Sequence, residues 1–188
     1  GNGGQATETV VLKAPHKEDS GVLAMEGENF AFIYHTDTYP NHTWTETTIV
    51  ADSSGGSSMA SSDLGDQPKT NGPSLDFPVV FTTPGTYYVW ARLSSPQGNN
   101  SHGLLVGMDG VSVTDSGSGL SNTSANWTWD NSTNKISQLA LTITAAGTHT
   151  INVWMNKDGV RLDSLYLTTD PLAIPSGQLS AESARSLD

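Results

Sequence analysis

Three carboxylates fall in apolar company where strand-like sequence would hold them. In Ala24-Met25-Glu26-Gly27-Glu28-Asn29-Phe30 the two glutamates are two positions apart. Side chains alternate along a strand, so both are expected on one face with Ala24 and Phe30. Asp163 is expected to share a face with Leu165 and Leu167. A carboxylate at the edge of a core stays ionised only beside a cation or bonded to donors. The chain's eight Lys and Arg are few to supply the cation. Hard oxygen ligands of this kind suit Ca²⁺. The other reading is that all three are edge residues bonded to backbone amides or facing water.

The five tryptophans divide into two groups. Trp90 and Trp154 lie in strand-like runs and are expected to pack. Trp44, Trp127 and Trp129 lie in polar stretches. Each either folds back onto the core or offers its indole to the C–H face of a sugar ring, a large rigid contact at low entropy cost. Extended backbone at Trp127-Thr128-Trp129 would turn both indoles to the same side. Nearby, Asn99, Asn100 and His102 could bond hydroxyls. Arg161, two before Asp163, either pairs with a carboxylate or reaches a sugar carboxylate or sulfate, which its planar fork suits.

Signatures of catalysis are weak. The histidines, at 16, 35, 42, 102 and 149, show no metal-ligand spacing, and there is no Gly-x-Ser-x-Gly, P-loop or dinucleotide fingerprint. Glu26 and Glu28 on one strand face do not flank a bond as a glycosidase pair must. If the chain were a polysaccharide lyase or hydrolase, Arg161, His102 and Tyr39 would be the set to test. A spacer or adhesion domain without a sugar site is the third reading.

The elements that would position these residues are strands. Charged residues make up only 14% of the 188, and Gly, Ser, Thr and Asn are abundant, a composition that favours turns and short strands over helices. A net charge of −11 repels nucleic acid and anionic lipid, so neither is an expected partner. The absence of cysteine excludes disulfides and thiolate chemistry. Residues 1–18 read as a linker or edge strand around Val10-Val11-Leu12, 19–170 as one domain, and 171–188 as a tail. Within the domain, 21–34 reads as the first strand region and 35–73 as long irregular chain. Tyr87, Val89, Ala91 and Leu93 alternate onto one face after the turn Thr83-Pro84-Gly85-Thr86, and Asp109-Gly110 marks a hairpin. Short strands with turns every ~8–12 residues predict an all-β, two-sheet antiparallel sandwich.

Six segments in order then resemble carbohydrate-binding modules of families 6 and 35. They are Met25-Glu26-Gly27-Glu28-Asn29-Phe30, the run Pro84 to Arg92, Val106-Gly107-Met108-Asp109-Gly110, Trp127-Thr128-Trp129, the run Gly147 to Met155, and Asp158-Gly159-Val160-Arg161-Leu162-Asp163. Similar modules are appended to agarases and other marine polysaccharide-degrading enzymes, and some xylan-trimming glucuronidases end in a related domain. The resemblance covers about residues 21–170. It implies a jelly-roll, galactose-binding-like sandwich and a structural Ca²⁺ held by Glu26, Glu28 and Asp163. It also implies a sugar site built from loops, with Trp44, Trp127 and Trp129 stacking and Asn99, His102 and Arg161 bonding polar groups. Arg161 stands where family 6 often carries a sugar-bonding asparagine. Gly27 replaces the usual alanine, a change expected to matter little. The expectation is a secreted, extracellular, monomeric binding module that targets a catalytic domain in the same chain to a polysaccharide, such as an agar- or porphyran-type galactan.

Overall fold

The computed structural model describes residues 13–95, 103–114, 119–121, 124–133 and 137–186. Val10-Val11-Leu12, Asn99, Asn100 and His102 lie outside the described residues. The strands are β1 (His16–Lys17), β2 (Val22–Glu26), β3 (Phe32–Tyr34), β4 (Trp44–Thr47), β5 (Ser58–Ser61), β6 (Ser74–Phe81) and β7 (Gly85–Ser94). They continue with β8 (Gly103–Met108), β9 (Val111–Ser112), β10 (Leu120–Ser121), β11 (Thr128–Asp130), β12 (Ala140–Ile143), β13 (Gly147–Lys157) and β14 (Arg161–Thr168).

They form two sheets. The first runs β1-β6-β13-β8-β10, with β3 also on β6 and β9 on β8. The second runs β11-β7-β14-β5-β4, with β12 on β7 and β2 on β14. All pairs are antiparallel except β1 with β6, which is parallel. The all-β sandwich expected from turn spacing is therefore present.

The core lies between the sheets and follows the period-2 pattern. Leu75, Phe77, Val79 and Phe81 of β6 face Tyr87, Val89, Ala91 and Leu93 of β7, all with no exposed surface. Ile151, Val153 and Met155 join from β13, and Leu162, Leu165 and Leu167 from β14. Burying each such side chain contributes about 1.5–3 kcal/mol. Asp109 and Gly110 both have positive φ, at 52° and 80°, as the two-residue hairpin between β8 and β9 requires.

Two stretches differ from the sequence reading. The 21–34 region is not one strand: β2 belongs to the second sheet and β3 to the first, and a 3₁₀ turn at Gly27–Asn29 carries the chain between layers. Gly27 is tightly enclosed there. A Cβ would lie 2.6 Å from the Leu162 carbonyl oxygen and 3.1 Å from that of Asp163. Alanine would push against backbone, so the change is not neutral. The 35–73 stretch, read as irregular, contains the β4–β5 hairpin of the second sheet.

Residues 171–186 run along the sandwich rather than away from it. Ser183 donates its amide to Ala24 O (2.9 Å), Lys17 donates to Ala184 O (2.8 Å) and Ser186 to Pro15 O (3.0 Å). The Glu182 carboxylate accepts from the Glu26 amide (2.7 Å) and from Asn29 Nδ2 (2.8 Å).

Candidate functional site

The three expected metal ligands do approach one another, by a different route from strand alternation. Glu26 ends β2, Glu28 sits in the 3₁₀ turn, and Asp163 occupies an irregularity in β14 where the register slips between Leu162 and Ser164. The turn Ser54–Gly56 closes over them. Ser54 donates its amide to Asp163 Oδ1 (2.8 Å). At Gly55, with φ 62°, a Cβ would fall 2.2 Å from Glu26 Oε2 and 2.8 Å from Glu28 Oε1. Only glycine leaves room for both carboxylates.

Asp163 is neutralised within the protein. Its Oδ2 accepts from Arg92 Nη1 (2.8 Å) and from Ser164 Oγ (2.8 Å), and both Arg92 and Asp163 are buried. Arg92 alternates with inward Ala91 and Leu93 and so shares a face with Trp90, but nothing in the sequence ties it to Asp163. Among the described residues neither glutamate forms an ion pair with a Lys or Arg. Burial, with the charges of Glu26 and Asp163, pushes Glu28 up to about 7 against hydrogen bonds that lower it. Burial also raises Glu26, helped by Glu182 and Asp163. Glu28 Oε2 is buried without a hydrogen-bond partner. Among the described residues no three His, Cys, Asp or Glu close into a complete metal cage. The orphaned oxygen, the glycine cradle and the hard donor set nonetheless fit a divalent cation at the two-glutamate end, with Asp163 turned towards Arg92.

The tryptophans do not gather into one shelf. Trp44 is only 3% exposed, belongs to the core and donates Nε1–H to Pro73 O (3.1 Å). It is a core residue and not a stacking residue: β4, paired with β5 in the register Trp44 to Ser61, turns it inward. Trp127 and Trp129 are half-buried beside the second sheet. Trp127 donates to Ala51 O (3.1 Å), and its ring centroid lies 5.6 Å from the Arg92 guanidinium carbon. Trp129 donates to Gly177 O (2.9 Å) and meets Tyr166 edge-on at 6.5 Å. With Tyr166 it lines a cleft of about 340 Å³ whose other wall is the tail from Ala173 to Ser180. Arg161 is half-buried at the start of β14, opposite Ser94 and Ala60.

A different surface has the form of a ligand site. On the outer face of the first sheet, cross-strand pairing sets Tyr34, Ser74, Trp154 and Leu105 in one row, and Phe32, Asp76, Asn152 and Gly107 in the next. Here lies a cleft of about 360 Å³ lined by Tyr34, Thr70, Ser74, Asp76, Asp109, Gly110, Thr150, Asn152 and Trp154. Tyr34 is 63% exposed. The polar floor is fixed by its own bonds. Asp76 Oδ1 accepts from Ser74 Oγ (2.7 Å) and Asn152 Nδ2 (2.9 Å), while Asn152 Oδ1 accepts from the Gly110 amide (2.8 Å). Asp109 accepts from the Thr150 amide (2.9 Å) and lies 2.7 Å from His149 Nδ1. Burial works to raise Asp109, but His149 and the Thr150 amide outweigh it and hold the carboxyl below its ordinary value. Sequence reasoning missed this site because its residues come from four separated segments, each with an ordinary alternating pattern.

The sandwich fold recurs in solved structures of low sequence identity. The sandwich is shared with the native family 35 carbohydrate-binding module of Clostridium thermocellum (TM-score 0.56, 13% identity, 80% of this chain and 100% of that one). It is shared with the module CBM6cm-2 of Cellvibrio mixtus lichenase 5A, solved with cellotriose (0.53, 15%, 80% and 98%). It is also shared with the C-terminal family 6 module of LamC, a marine laminarinase of Zobellia galactanivorans (0.50, 15%, 78% and 98%). Residues 16–176 match the glycosyl hydrolase family 115 C-terminal domain, and the chain belongs to that family. It is also 27% identical over 110 residues to uncharacterized protein P23 of Formosa agariphila, covering 54% of this chain and 26% of that relative's length.

Proposed function

We propose that the chain is a non-catalytic carbohydrate-binding module that holds an appended polysaccharide-degrading enzyme on its substrate. In this reading the sugar lies in the cleft on the open face of the first sheet. The observation that carries it is the exposed Tyr34 beside a polar floor already locked by Ser74, Asp76, Asn152 and Gly110. An aromatic face and prearranged hydrogen-bonding groups are what a pyranose needs, and prearrangement spares the cost of ordering them on binding. An algal galactan of the agar or porphyran type is the first target to try. The protein would act outside the cell as a monomer. Affinity electrophoresis through gels containing single polysaccharides tests the reading. Retardation by at least one of them, lost in Tyr34→Ala, is expected; free migration in every gel would refute it.

The same proposal places Ca²⁺ at Glu26 and Glu28, on the far side of the sandwich from the sugar. The ion would supply only charge neutralisation there, fixing the crossover at Gly27–Asn29 and the Ser54–Gly56 turn over it. Calcium should raise the melting temperature, chelator should lower it, and Glu28→Gln should abolish the difference.

A further inference from the structure

We infer that the cleft on the first sheet selects uncharged glycan segments and turns away sulfated or uronic ones. This rests on the sugar-binding reading and narrows it to a substrate class. Two carboxylates, Asp76 and Asp109, line the cleft, and among the described residues no Lys, Arg or His lines it. Asp76 has one oxygen saturated by Ser74 and Asn152, while Oδ2 has no protein hydrogen-bond partner among the described residues. That oxygen can only accept. A sugar hydroxyl satisfies it, whereas a sulfate or carboxylate brings a second acceptor and a like charge into a partly desolvated site. Asp109 is held as an anion by the Thr150 amide and His149.

Of the two carboxylates His149 touches only Asp109, and among the described residues no Lys or Arg lines the cleft to offset the two charges. Arg161, the residue that sequence suggested for an acidic sugar, belongs to β14 of the other sheet. Packed sheets lie about 10 Å apart, so the core separates it from the cleft. Lys69 adjoins Thr70 in the chain but does not line the cleft. The net charge of −11 acts in the same direction at long range. A neutral galactan repeat therefore suits the site better than its sulfated counterpart.

Affinity electrophoresis of the full chain with calcium, at two salt concentrations, tests this with named polymers. Agarose, laminarin and galactomannan are the neutral probes; iota-carrageenan, alginate and polygalacturonate are the anionic ones. At least tenfold weaker binding of every anionic polymer than of the best neutral one is expected. Asp109→Asn should narrow that gap, and added salt should narrow it too. An anionic polymer bound within tenfold of the best neutral one, with both lost in Tyr34→Ala, would overturn the selectivity while keeping the site. No retardation by any polymer would instead overturn the sugar-binding reading and this inference with it.

Discussion

The two outer faces of the sandwich use aromatic residues in opposite ways. On the second sheet, Trp129 and Tyr166 meet the 171–186 segment, and the indole N–H groups of Trp127 and Trp129 are bonded to backbone carbonyls of other segments. On the first sheet, Tyr34 stands 63% exposed beside a polar floor held in place by its own hydrogen bonds, with Asp76 Oδ2 left open. A tethered aromatic with a spent polar tip holds chain in place. An untethered one over fixed acceptors is ready for a ligand. Location in a polar stretch of sequence does not distinguish the two; the hydrogen-bond partner does.

The comparison can be broken most forcefully inside the fold. Trp44→Ala removes a buried indole and should cost about 3–5 kcal/mol of stability, read as a lower denaturant midpoint. A loss below about 1 kcal/mol would mean the residue is not core. Trp129→Ala should cost about 1–3 kcal/mol, with faster proteolysis of 171–186 and unchanged sugar affinity, because its loss frees the tail. Tyr34→Ala should invert that pattern. Stability should stay within about 0.5 kcal/mol, while sugar affinity falls roughly tenfold, the scale of about 1.4 kcal/mol.

The remaining prediction is a pH dependence, and its sign is the test. Without metal, the folded protein keeps a proton on Glu28 up to about 7, which the unfolded chain releases around 4.5. The folded state binds more protons at Glu28 between those values, so that group's contribution to stability should fall as pH rises from 4.5 and level off above about 7, while buried His16, held below its ordinary value, contributes with the opposite sign. Calcium needs the ionised carboxylate, so its stabilisation should grow over the same interval. Melting curves with chelator and with calcium across this range should therefore diverge as pH rises; parallel curves would remove the two-glutamate cation site. Glu18 serves as the internal contrast. Burial works to raise it, but donors from Thr82, Gly21 and Thr83 hold it low. Its contribution is present at neutral pH and is lost as pH falls through its depressed value.

Much of the framework was legible in the sequence because alternation is a local signal. Tyr87, Val89, Ala91 and Leu93 face the core as their spacing requires. The Asp109-Gly110 turn adopts the positive φ values its residue types permit. The convergence of Glu26, Glu28 and Asp163 was legible as a motif but not as geometry, since a 3₁₀ turn and a strand irregularity create it. Arg92 escaped notice because only the folded β7–β14 pair brings it to Asp163. The open cleft was illegible for the same reason. Tyr34, Asp76, Asp109 and Asn152 come from β3, β6, the β8–β9 hairpin and β13, and nothing local marks any of them. Trp44 misled because a short polar hairpin was read as loop; its inward face is set by pairing with β5.

The most direct test of the account is one gel series in any polysaccharide that retards the wild type, comparing Tyr34→Ala with the double change Trp127→Ala and Trp129→Ala. The open-face site predicts that Tyr34→Ala migrates freely while the double variant, once shown to be folded, is still retarded. Free migration of the folded double variant with full retardation of Tyr34→Ala would move the sugar to the other sheet and contradict the account.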